Sequence, residues 1–116
     1  MRGAKMRYEV ITYNAVIGSH RWENAPDEFS YLRNVHRHVF KIRCKFHVTH
    51  SDRQIEINDM QDIIARYFSL HYPVDAAGVF FGGRSCEDIA RECIENFGCY
   101  ECEVLEDGFG GACVRA

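Results

Sequence analysis

Apolar and polar positions alternate most cleanly over residues 34 to 49. One face of that run carries His36, His38, Phe40, Ile42, Cys44, Phe46 and Val48, and the other carries Arg37, Lys41, Arg43, Lys45 and His47. Side chains two apart in a strand share a face, so the pattern predicts a strand with one buried side and one basic side. Residues 6 to 17 (MRYEVITYNAVI) are rich in β-branched and aromatic types and predict an earlier strand, with Gly18-Ser19 breaking the run before His20. A loop over 21 to 33 follows. Met60, Ile63, Ile64, Tyr67, Phe68 and His71 recur at helical spacing, with Asp59 as the expected N-cap, Asp62 three residues on, and Pro73 as the stop.

Residues 76 to 84 (AAGVFFGGR) predict a glycine-rich loop that matches no phosphate-binding pattern. Ser85-x-x-Asp88 is a capping box for a second helix, whose apolar face is Ile89, Ala90, Cys93, Ile94 and Phe97 and whose stop is Gly98. Residues 99 to 106 alternate again, with Tyr100, Cys102, Val104 and Glu106 on one face. Gly108, Gly110 and Gly111 predict a turn, and Ala112 to Arg115 a last strand. The order β-β-α-α-β-β, with no repeat and no linker, predicts one α+β domain over residues 1–116. Its sheet is expected to be antiparallel, with two helices on one face.

Composition narrows the function. The chain has 116 residues and a net charge of -3, which argues against general nucleic-acid binding. No apolar run approaches the roughly 20 residues that cross a membrane. Met1 to Lys5 is too short and polar for a signal peptide. Six cysteines are many for this length, and the expectation is reduced, mostly buried thiols in a cytoplasmic protein. Cys99-x-x-Cys102 stands alone without a second such pair, and a structural role is the expectation for it.

The candidate chemistry starts with His36 and His38, which project side by side from one strand face. With His20 at the end of the earlier strand, three imidazoles can converge on a divalent ion such as zinc and leave one position open. Spacing alone equally allows core histidines bonded to backbone or carboxylates, because every buried imidazole needs a polar partner. Glu106 falls on the apolar face of its strand. A carboxylate there can accept two parallel N–H bonds from a pterin or guanine edge, or the strand frays and it is solvated. Asp75 reads as a turn aspartate, and Glu87 sits in a first helical turn where an acid is favoured in any case.

Taken in order, His20, His36-x-His38, an aspartate opening a helix, Ser85 and Glu87 at the next helix start, and a late strand ending in Glu106 resemble the 6-pyruvoyl-tetrahydropterin synthase and 6-carboxy-tetrahydropterin synthase family. The likeness runs from about Tyr8 to Val114. It implies the tunnelling fold, a homo-oligomer (trimer or hexamer), and zinc held by His20, His36 and His38. It also implies a small pterin-like ligand anchored by Glu106, with Ser85 and Glu87 as pocket residues.

The chain departs from the family pattern at two proton-transfer positions. Leu32 stands where the family has cysteine, and Asp75-Ala76 stands where it has Asp-His, leaving Asp75 as the one matched catalytic residue. General acid–base groups typically contribute about 10²–10⁴-fold each. The resemblance therefore implies an enzyme of altered or weak activity, with His71 and Cys86 as stand-ins for the missing groups. The alternatives are a non-catalytic pterin- or purine-binding oligomeric module, and a structural oligomer with a degenerate site.

Overall fold

A computed structural model of the protein describes residues 5–116. Strand β1 (Tyr8–His20) is followed by a 3-10 segment (Asp27–Arg33) and strand β2 (His36–Val48). Helix α1 (Ile57–His71), short strands β3 (Val74–Asp75) and β4 (Gly78–Phe80), helix α2 (Cys86–Phe97), and strands β5 (Glu101–Glu106) and β6 (Gly110–Arg115) complete the chain. The six strands form one sheet in the order β3-β4-β1-β2-β5-β6.

The protein is thus α+β, but the sheet is mixed rather than purely antiparallel. β4 runs parallel to β1, pairing Val79 with Gly18 and Phe80 with Ser19, while the other pairs are antiparallel. The glycine-rich stretch expected to be a loop therefore supplies the β4 strand. Gly18-Ser19 does not break β1 either. The strand continues to His20 because a Cβ at Gly18 would lie 2.7 Å from the Phe81 ring and 2.8 Å from the Val79 carbonyl oxygen. Glycine here permits close packing instead of ending the strand.

β1 and β2 pair along their whole lengths, from Tyr8 opposite Val48 to His20 opposite His36. The register puts His38 opposite Gly18, so all three histidines share one sheet face at one end of the ladder. Further along that face, Phe40, Ile42, Cys44 and Phe46 are buried against Ile64 and Phe68 of α1 and Ile89, Ala90 and Cys93 of α2. Both helices cover the same face, as the pattern predicts.

Capping is as expected for α2 and different for α1. Ser85 caps α2 through the reciprocal box with Asp88, and Gly98 closes it at φ 79°. The N-cap of α1 is Glu56 rather than Asp59, its carboxylate accepting the Asp59 N–H at 2.6 Å. The opposite sheet face is charged. Glu101 is only 5% exposed there, and its carboxylate lies 2.6 Å from Arg115, 3.5 Å from Arg43 and 3.7 Å from Lys45. Tyr100 belongs to this outer face and not to the apolar one: its ring stacks on His47 and its hydroxyl donates to Glu9 at 2.6 Å.

Candidate metal centre and adjoining cavity

The sheet register brings His20, His36 and His38 together. Their ring centroids lie 4.6 Å (His20–His36), 5.4 Å (His20–His38) and 5.1 Å (His36–His38) apart. One donor nitrogen from each lies within 4.8 Å of the other two, a grouping that could hold a metal ion.

Each ring is fixed from behind through Nδ1. His20 Nδ1 donates to the Arg84 carbonyl at 2.8 Å, and His36 Nδ1 donates to the Asn34 carbonyl at 2.8 Å. His38 Nδ1 bonds the Asp107 carboxylate at 2.7 Å. Acceptors on all three Nδ1 atoms place the protons there and leave each Nε2 with its lone pair. That is the arrangement in which outer partners orient metal-binding imidazoles and raise their basicity.

His20 Nε2 tests whether these residues suit a cation. It is buried and makes no hydrogen bond, although Glu106 Oε2 lies 2.9 Å away. In the tautomer set by Arg84, a lone pair faces a carboxylate oxygen, and two acceptors at that distance need a positive charge between them. A ring proton does not fill the need easily, because burial lowers the His20 pKa, with His36 and His38 lowering it further and Arg84 and Glu106 only partly opposing. A metal ion does fit. His38 Nε2 lies 3.7 Å from the same Glu106 oxygen.

Beside the histidines opens a cavity of about 550 Å³, within the range of small-molecule sites. His20 and His36 line it from the sheet, Trp22 and Leu32 from the β1–β2 connection, Ser85, Cys86 and Glu87 from the start of α2, and Glu106 from the end of β5. Gly110 and Gly111 of β6 complete that wall. Glu106 is therefore partly buried at the site, its side chain 35% exposed, and not on a frayed solvated end. Ser85 Oγ is committed to the Asp88 N–H at 3.1 Å, so its first role is the cap. Cys86 is buried beside Glu106, and burial together with that carboxylate pushes its thiol up to about 12.

Other expected site residues lie elsewhere. Asp75 ends β3, exposed, and its carboxylate accepts the Ala77 N–H of the following turn at 2.7 Å; neither it nor Ala76 lines the cavity. His71 stacks on Tyr67 at the far end of α1 and is also outside it. Leu32 does line the cavity and brings no titratable group.

Sequence reasoning missed Asp107 and the two carbonyls behind His20 and His36. Asp107-Gly108 reads only as a turn, and it becomes a histidine partner through the β2–β5 register, which sets Phe40 opposite Glu106. No family profile and no curated protein matches the chain. Its class rests on its structure: an α+β protein whose sheet end carries a three-histidine group able to hold a metal ion, next to a ligand-sized cavity.

Proposed function

We propose that the protein is a zinc-binding, pterin-synthase-like protein with the tunnelling fold, taking a dihydropterin-type ligand in the cavity beside His20, His36 and His38. The observation that carries this reading is the His20 Nε2 lone pair held 2.9 Å from Glu106 Oε2 at the cavity wall. A cation shared by the three imidazoles resolves it, and a three-nitrogen set that leaves a position open suits catalytic zinc. Glu106 then serves as the ring anchor, accepting paired N–H groups.

Bound zinc would polarise a hydroxyl or carbonyl of the ligand side chain. Around it, Trp22 and Leu32 supply apolar lining and Glu106 orients the ring. Cys86, with a thiol pKa pushed up to about 12, keeps its proton at neutral pH and is a donor rather than a base. Leu32 moves no proton, and Asp75 lies outside the cavity of the single chain. This placement supports altered or weak turnover and favours a second reading, a non-catalytic pterin- or purine-binding module. Assembly into a trimer or hexamer is part of the proposal, and the two sheet edges β3 and β6 supply the unpaired strands for it.

The test is zinc per chain by elemental analysis for wild type and His38→Ala, followed by equilibrium binding and turnover of a dihydropterin. A fall of about one equivalent in the variant, with dihydropterin bound by the wild type, supports the site. Turnover then separates the enzyme from the binding module. Equal zinc in both proteins overturns it.

A further inference from the structure

A second group of donors lies in the core, on the helix-covered side of the sheet. Cys44 of β2 and Cys102 of β5 are direct cross-strand partners, and their sulfurs are 3.8 Å apart. Cys93 reaches them from α2, so that the three sulfurs lie within 4.8 Å of one another. All three are fully buried, and none is in a disulfide. Cys99, just after Gly98, is 3% exposed and abuts Cys44. Three of the six cysteines thus meet at one point, although they come from three separate elements, and Cys99 lies beside Cys44 from the turn after α2.

We propose that Cys44, Cys93 and Cys102, with Cys99 as the adjacent fourth sulfur, form a closed thiolate site for a thiophilic d10 ion, zinc or copper(I). The chemistry of the donor set selects such ions. It is all sulfur, and soft thiolates prefer copper(I) and zinc over hard cations. Two thiolates on one tetrahedral ion with bonds of about 2.3 Å sit about 3.8 Å apart, which is the Cys44–Cys102 separation. The site is dry, so it offers no open position for a substrate and would be structural. Each thiol that coordinates releases one proton.

This site is independent of the histidine centre and can be tested without it. The triple variant His20→Ala/His36→Ala/His38→Ala, fully reduced, is refolded with copper(I) in one arm and with cobalt(II), as a zinc probe, in the other. About one equivalent bound, with a sulfur-to-metal charge-transfer band, is expected in at least one arm. A band with copper(I) alone assigns the three-sulfur form, and a tetrahedral cobalt spectrum assigns the four-sulfur form with Cys99. Cys93→Ala in the same background should weaken binding at least tenfold. If that variant does not fold, Cys99→Ala should remove the tetrahedral cobalt spectrum, or leave the copper(I) band intact. Refolded triple variant that binds neither ion, or folded Cys93→Ala that binds with an unchanged band, overturns the proposal. Neither result bears on the histidine site.

Discussion

Asp107 holds His38 and the β2 backbone at once: one carboxylate oxygen bonds His38 Nδ1 at 2.7 Å and the other accepts the Val39 N–H at 2.8 Å. The Val39 bond is the first cause of its lowered pKa and the His38 bond the second. The residue sits at φ 56°, a conformation that aspartate and asparagine tolerate better than most. Asp107→Asn keeps the turn and an acceptor for Val39, but loses the negative charge behind His38. Metal affinity should fall by about 10–100-fold with the fold retained. Competition with a chelator of known affinity checks it, and an unchanged affinity removes Asp107 from the centre.

Gly110 and Gly111 are neighbours in β6 with opposite demands. A Cβ at Gly111 would lie 1.8 Å from the Val104 carbonyl oxygen, whereas one at Gly110 meets nothing within 4 Å. Gly111→Ala has to push β6 away from β5 and should cost about 2 kcal/mol or more. Gly110→Ala should stay within about 0.5 kcal/mol of wild type. Thermal melts of the pair check this, and equal melting temperatures would contradict the packing at Gly111.

Alkaline pH should unfold the protein through Tyr67 and Tyr72. Both hydroxyls donate to Glu92, Tyr67 at 2.6 Å. Burial first and this carboxylate second push Tyr67 up to about 12 and Tyr72 also upward. A group whose pKa is higher folded than unfolded gives stability that is complete below the unfolded value, about 10 for tyrosine. That stability is lost as pH rises from there through the folded values. Melting temperature should therefore drop steeply above about pH 10, and Tyr67→Phe should flatten the slope. A slope unaltered by the substitution would assign the loss to other groups.

The sequence carried the site's outline because His36 and His38 lie in a 13-residue strand whose period-two pattern is interrupted only at Val39. It carried α2 because Ser85, Asp88 and Gly98 are local signals that tertiary contacts did not override. It did not carry β4, since a strand of three residues has no period to detect. Gly18 misled because a glycine that admits the Phe81 ring looks the same in sequence as one that ends a strand. Glu56 does not stand out as a cap in sequence, because Asp59 is the commoner capping type. Asp107 and the meeting of Cys44, Cys93 and Cys102 depend on register between distant strands, which composition does not encode.

Glu106 lies between the histidines and the cavity, and one substitution separates its two possible duties. Its Oε2 is 2.9 Å from His20 Nε2 and 3.7 Å from His38 Nε2, while its side chain lines the cavity. Glu106→Gln keeps the shape and one acceptor but replaces the second acceptor with a donor. As a ring anchor it would lose a charge-assisted hydrogen bond worth about 1.5–3 kcal/mol, or roughly 10–100-fold in dihydropterin affinity. Zinc should still bind through His20, His36 and His38, but less tightly, because the Glu106 charge beside His20 Nε2 no longer helps to hold the cation. Calorimetric binding and elemental analysis on the same preparation check both numbers. Zinc lost together with dihydropterin binding would make Glu106 a metal ligand, and dihydropterin bound as tightly as by wild type would place the ring elsewhere.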